Sequence, residues 1–315
     1  MTPSRRRWLN DQRTAVLYVP SVPGRPTGSL TDLSRAIMTL LRCCAINPSF
    51  HPGQMAAGWL YVLRGQYAHA TMMLDQAVIR EHAGTGLIFL GAFVMRANVH
   101  ARSGEVDAAF SLLNMAIEKY SAMDHVYSET MTAWALFSRG RASERVGDFG
   151  SAPADFERAR ELAETNDHRL AIGSHWLHAT LGLSRLAFRR GETAHSDALL
   201  SAASSMHERK ERFVWVNIPG GMEPETFYEL AATYAFRGDT AQALATLEHA
   251  ARIGWCDAYQ LGSDPNFDRL RDSTALRQLI ANATVLVTLP APVGSGGFPD
   301  FEETRSSDAP TLQPS

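Results

Sequence analysis

This chain predicts an all-α fold, a solenoid of stacked helical hairpins, and three observations carry the prediction. A turn glycine recurs at Gly65, Gly104, Gly147, Gly191 and Gly238. Seven residues before each stands a small residue: Gly58, Ala97, Gly140, Ser184 or Ala231. After each glycine comes one frame of a small residue (Ala70, Ala109, Ala152, Ser196, Ala243), a bulky one (Leu74, Leu113, Phe156, Leu200, Leu247) and an alanine (Ala77, Ala116, Ala159, Ala203, Ala250). Antiparallel helices approach closely only where side chains shrink, with a large residue filling the space one turn away. The glycine ends the first helix in the left-handed conformation, and the polar residue after it opens the second. A single hairpin cannot bury its own apolar face, so the repeats must stack.

In chain order, residues 1–28 form an arm, because Pro20, Pro23, Gly24 and Pro26 break any helix. Its start, Ser4-Arg5-Arg6-Arg7-Trp8-Leu9, has the outline of a twin-arginine export signal, but Asp11 and Arg13 interrupt the apolar run that such a signal needs. Residues 29–48 read as a half-repeat, a second helix whose first helix would come from residues 4–18. Thr31 lies 34 residues before Gly65, and Ala36, Leu40, Cys43 and Pro48 then fall on small, large, small and helix-ending positions, which makes Cys43 a core residue. A solenoid that begins mid-hairpin exposes an apolar edge to be covered by an N-terminal segment, an upstream domain or another subunit, the last as a homodimer.

Hairpins follow at about 51–82, 86–121, 126–166, 168–207 and 223–254, together a solenoid over 29–288. The glycine-rich stretch Asn217 to Pro224 is the long connector before the last of them. Pro265 stops the array, and Phe267, Leu270, Leu276, Leu279 and Ile280 form a cap over 264–286 that covers its open end. The segment 289–315, rich in Pro, Gly and Ser, predicts a disordered tail.

The turn pattern of glycine, x, aromatic, x, x, alanine, complete at Gly65-Gln66-Tyr67-Ala68-His69-Ala70 and partial at Gly147-Asp148-Phe149-Gly150-Ser151-Ala152, resembles the tetratricopeptide repeat (TPR) family over residues 30–255. The resemblance implies a right-handed superhelical solenoid of about five to six TPR-like hairpins with a C-terminal capping helix. The repeats are long: successive turn glycines lie 39, 43, 44 and 47 residues apart, against about 34 in the family. Residues Tyr228 to Asp239, then Asp264 to Arg271, resemble the end of the TPR half of bacterial multidomain regulators. That likeness implies a place in bacterial regulation.

Composition excludes several functions. The net charge of −3 offers no general attraction to nucleic acid. No apolar run approaches the roughly 18 residues of a membrane span. Three cysteines, two of them adjacent, cannot form a disulfide framework and suit a reducing, cytoplasmic location. Phosphate-loop, dinucleotide, zinc-protease and nucleophile-elbow motifs are all missing, so the chain predicts no enzyme and no cofactor. His175 and His178 share a helical face, but nothing nearby completes a metal site.

In the family the first helix of each hairpin lines the concave groove, and the resemblance implies that positions six and two residues before the turn glycine point into it. Here they hold Asn98 and Arg102, then Arg141 and Arg145, then Arg185 and Arg189. Each pair lies four residues apart on one helical face, so stacking would align them as a basic ladder. Such a ladder suits an acidic peptide or a small anion, with Trp134 and His178 at the family's second groove position adding aromatic contact. Arg102, Arg145 and Arg189 are equally explained by the helix dipole, which leaves Asn98, Arg141 and Arg185 as the informative members. The expected function is a non-catalytic scaffold that binds a peptide or protein segment. The alternative is a regulatory sensor for a small anionic effector.

Overall fold

A computed structural model describes residues 30–84, 90–125, 127–165, 172–211, 223–252 and 255–287. The expected arm, its export-signal outline and the tail therefore lie outside the described residues, as does most of the connector before the last hairpin. Helix α1 (Leu30–Ile46) packs on the first helix of the hairpin that follows it. Five hairpins follow: α2 (His51–Leu63) with α3 (Tyr67–Ala83), α4 (Ala92–Arg102) with α5 (Val106–Ser121), α6 (Ser128–Val146) with α7 (Ala152–Thr165), α8 (Ile172–Arg189) with α9 (Thr193–Glu211), and α10 (Glu223–Arg237) with α11 (Thr240–Arg252). A short helix α12 (Ala258–Ser263), a 3-10 turn (Pro265–Leu270) and α13 (Thr274–Val287) complete the described chain, which contains no strand. The fold is an all-α solenoid of helical hairpins.

All five turn glycines have positive φ, between 65° and 93°. In every turn the N–H of the residue after the glycine bonds the carbonyl five residues before its own position. The five closures, such as Gln66 to Tyr61 and Asp148 to Ser143, measure 2.9–3.0 Å. This is the bond that satisfies the orphan carbonyls of a helix end when the next residue is left-handed.

The small and large positions meet as spacing predicts. A Cβ at Gly58 would come within 2.6 Å of the Leu74 side chain, and one at Gly140 within 2.6 Å of the Phe156 ring. Gly182, on α8, makes the same approach to the other edge of Phe156 at 2.6 Å, so this ring wedges between two glycines of neighbouring hairpins. In the fourth hairpin a polar seam replaces the apolar one. Ser184 Oγ donates to the Ser196 carbonyl (2.9 Å) and Ser196 Oγ donates to the Ser184 carbonyl (2.8 Å), both residues being fully buried. Connectors are also pinned: Glu81 Oε2 accepts from the N–H groups of Gly91 and Ala92 at the start of α4, while its Oε1 accepts from Tyr120 Oη.

The first helices α2, α4, α6, α8 and α10 pack side by side as the inner layer, with the second helices outside. At the end of the array Phe267, Leu270 and Leu276 are buried, and Leu279 and Ile280 pack against the core. The segment leading into them does more than cover the last hairpin. The Cys256 N–H bonds the Leu63 carbonyl at 3.1 Å, and Tyr67 Oη donates to Asp257 Oδ2 at 2.6 Å, so residues 255–257 reach the turn of the first hairpin and close the superhelix. Ala36 and Leu40 of α1 are buried as the aligned frame expects; of the adjacent cysteines, Cys44 is buried and Cys43 is half-buried but packed against the core.

Candidate functional site

The inner surface of the closed array is built by residues one helical turn apart on successive first helices. Asn98, Arg102, Trp134, Arg141, Arg145 and His178 border one cavity of about 40 Å³ between α2, α4, α6, α8, α10 and α12. Arg185 lies buried behind it, and Arg189 lies exposed outside it, its guanidinium 3.7 Å from the Phe149 ring centroid. The sequence pattern thus brings most of its candidates to one place.

The arginines there are not a free basic ladder, and this corrects the expectation drawn from residue type alone. Arg102 Nη1 donates to Asp257 (3.1 Å) and Nη2 to Glu225 (2.9 Å). Arg141 engages a carboxylate through each of its three nitrogens: Nε on Glu229 (2.9 Å), Nη1 on Glu144 (2.8 Å) and Nη2 on Asp264 (2.9 Å). Arg185 donates to both oxygens of Glu144 (3.0 and 2.7 Å) and to Thr233 Oγ1 (2.9 Å), with Glu229 at 3.1 Å. Arg145 Nη2 reaches Ser263 Oγ at 3.0 Å. An unpaired buried charge is costly, so guanidinium groups that the fold draws inside must find carboxylates there. They find them on α10, on α6 itself and on the returning segment 257–264.

Electrostatics follow from that enclosure. Burial works against the charged form of Arg141, but Glu229, Asp264 and Glu144 together hold its proton far more tightly than usual. Burial also opposes ionisation of Asp264. The guanidinium groups of Arg141 and Arg145, the Asn266 N–H and the Tyr228 hydroxyl overcome it and hold that carboxyl below the usual carboxylate range. Glu225 goes the other way: burial pushes its carboxyl up, and Arg102 only partly offsets the push.

The remaining wall is aromatic. Trp134 meets Trp59 edge to face with centroids 5.7 Å apart and stacks on His175 at 5.8 Å. Phe137 lies 5.1 Å from the His178 ring, whose Nε2 is 2.9 Å from Thr226 Oγ1. Both histidines of the metal-like spacing are therefore engaged in packing and hydrogen bonding.

Sequence reasoning missed Glu225, Glu229, Asp257, Asp264, Ser138 and Gln260. For Glu225 a signal existed: it stands thirteen residues before its turn glycine, as Trp134 and His178 stand before theirs. Trp59 likewise occupies the frame position of Asn98, Arg141 and Arg185. Asp257, Asp264 and Gln260 lie outside the frame and carried no such mark.

The inner row of first helices, the small-to-large seams and the five identical turn closures decide the kind of repeat. The array is tetratricopeptide-like. No family model and no curated protein matches the chain. Among solved structures it is similar to a chain in the crystal structure of the APC/C hetero-tetramer Cut9-Hcn1, at 12% identity and TM-score 0.47, over 88% of this chain and 46% of that one. It is also similar to a tetratricopeptide repeat protein from Parabacteroides merdae ATCC 43184, at 16% identity and TM-score 0.42, over 90% of this chain and 99% of that one. This chain thus spans under half of the first of them. No helix among the described residues is long and apolar enough to cross a membrane.

Proposed function

We propose that this TPR-like chain is a non-catalytic interaction scaffold that holds a short segment of a protein partner against the inner face, with one side chain entering the cavity bordered by Asn98, Trp134 and His178. The observation that carries this reading is the cavity itself, whose aromatic walls enclose two buried polar atoms without partners, Ser138 Oγ and Gln260 Oε1. Enclosed aromatic pockets with a few polar anchors are where interaction energy concentrates. The acid and base groups around it are consumed in ion pairs, which suits recognition rather than proton transfer. An acidic peptide fits less well than residue type suggested, because Glu225, Glu229, Asp257 and Asp264 already occupy the arginine row.

The test is affinity capture from native extract with wild type, Trp134→Ala, Asn98→Ala and Arg189→Ala, each verified as folded by circular dichroism. A protein held by wild type and Arg189→Ala, and lost by the two cavity variants, supports the scaffold. Equal capture by all four moves the binding site off the inner face. A small anion that copurifies with wild type, with no protein captured, turns the reading to the effector-sensing alternative.

A further inference from the structure

The far side of the returning segment carries a second cavity. It measures about 240 Å³ and lies between α11, residues 255–256, α12 and α13. Its floor is apolar: Leu247, Trp255, Cys256, Leu261 and Ala283 are buried there, while Ala251 and Leu279 are half-buried at its sides. Trp255 is held in place by its stack on Tyr228, with ring centroids 4.7 Å apart. Ordinary packing voids are seldom larger than a water, which sets this cleft apart. A benzene ring fills an apolar cavity of about 150 Å³, so this one has room for a ring and about two or three further carbons.

The polar groups sit on the rim. Arg252 is exposed, and among the described residues it is the only charged one that lines the cleft. Its Nη2 meets His249 Nδ1 at 3.3 Å, and no carboxylate pairs with it among the described residues, not even exposed Glu248 one turn before it. Asn282 Oδ1 accepts from Gln278 Nε2 at 2.9 Å, which leaves the Asn282 N–H groups open on the same rim. Asp257, next to Cys256 in the chain, turns to the inner side and accepts from Tyr67 and Arg102. Burial pushes the Cys256 thiol up to about 12, so it adds no charge to the wall. An apolar floor under a guanidinium and an amide matches a molecule with an apolar body and one carboxylate, the planar anion that a guanidinium pairs bidentately.

We propose that this cleft binds a small amphipathic monocarboxylate, its apolar body on Trp255 and Leu261 and its carboxylate at Arg252 beside Asn282, and that occupancy braces the closure of the array. The brace follows from the two sides of one short segment. Trp255 and Cys256 line the cleft, the Cys256 N–H bonds the Leu63 carbonyl of the first hairpin, and Gln260 lines the inner cavity. A molecule that packs on the outer side therefore favours the closed arrangement on the inner side. The site lies off the inner face and does not rest on the scaffold reading.

The probes are 3-phenylpropionate, its amide and propionate, titrated into the full chain and followed by ligand-observed NMR. 3-Phenylpropionate should bind saturably, in about the millimolar range for so few atoms. The amide should bind about fivefold more weakly, and propionate, which lacks the ring, not measurably. Arg252→Gln should erase the preference for the acid and leave the affinity of the amide unchanged, a split that a loosened fold does not produce. Ala251→Leu and, separately, Ala283→Leu fill the cleft and should abolish binding of both, and either variant carries the test if the other is unfolded. With the acid at ten times its Kd, hydrogen exchange at residues 255–257 should slow about tenfold. No saturable binding, an amide as tight as the acid, a preference untouched by Arg252→Gln, or full binding by the filled variants would each overturn the site. Binding with exchange at 255–257 unchanged would overturn the brace.

Discussion

The seams between paired helices and the charged cluster inside the array solve the same problem, holding helices together, by opposite physics. At a seam, Gly140 and Gly182 admit the Phe156 ring to 2.6 Å of where a Cβ would stand, and the gain is dispersion and apolar burial that each hairpin secures from its neighbours. In the cluster, Arg141 draws Glu229 from the fifth hairpin and Asp264 from the returning segment, 88 and 123 residues away. Seams make a stack of any length; the cluster makes this stack close on itself. A repeat array gains stability step by step from nearest neighbours, whereas a closing contact couples its ends and makes their loss cooperative.

The sharpest way to break that contrast is Arg141→Ala, which leaves buried Asp264 without its ion-pair partner and Glu144 and Glu229 with Arg185 alone. It should lower stability by about 3–5 kcal/mol in urea unfolding. A loss under about 1 kcal/mol would mean that water enters the cluster and that it holds little.

Acid should attack the cluster before the seams. Asp264 is held below the usual carboxylate range, so its stabilisation is fully present above the unfolded value near about pH 3.9 and is lost as pH falls further toward the folded value. Glu225, pushed up by burial, works in the opposite sense: protonation relieves it, so acidification through its range favours the folded state. Unfolding midpoints followed down to about pH 3 should therefore fall less steeply in Asp264→Asn than in wild type. Parallel curves would place the acid sensitivity elsewhere.

The seam is tested by Gly140→Val, which puts a branched side chain against Phe156 and should cost about 1–3 kcal/mol. Combined with Phe156→Leu, the loss should be less than the sum of the two, and additivity would show that the helices part without meeting that ring. Smallest is the polar seam. Ser184→Ala removes one of the two reciprocal bonds to Ser196 and should cost about 1 kcal/mol, against roughly 0.5 kcal/mol or less for Arg189→Ala on the surface.

These magnitudes bear on what was legible. The seams could be read because Gly58 and Leu74, or Gly140 and Phe156, lie sixteen residues apart in every repeat, and a contact that recurs at one separation writes itself as a pattern. The inner position of Asn98, Arg102, Trp134, Arg141, Arg145 and His178 was an expectation from the tetratricopeptide resemblance, once the turn glycines had fixed the frame. What those side chains meet there was not legible. Residue type suggested an open basic ladder, yet Arg102 faces Glu225 across 123 residues and Asp257 across 155. No spacing within a hairpin encodes such separations.

The sequence by itself determined the helices, their turn glycines and the pairing within each hairpin, because these depend on residues within one or two helical turns and on contacts that repeat. Only the tertiary structure decided that the array curls far enough for its fifth hairpin and returning segment to reach the first three. That closure turned a row of arginines into a neutralised cluster beside an aromatic cavity. Curvature accumulates from small rotations at every interface, and the charge that one side chain meets at the end of that sum is a property of the whole stack.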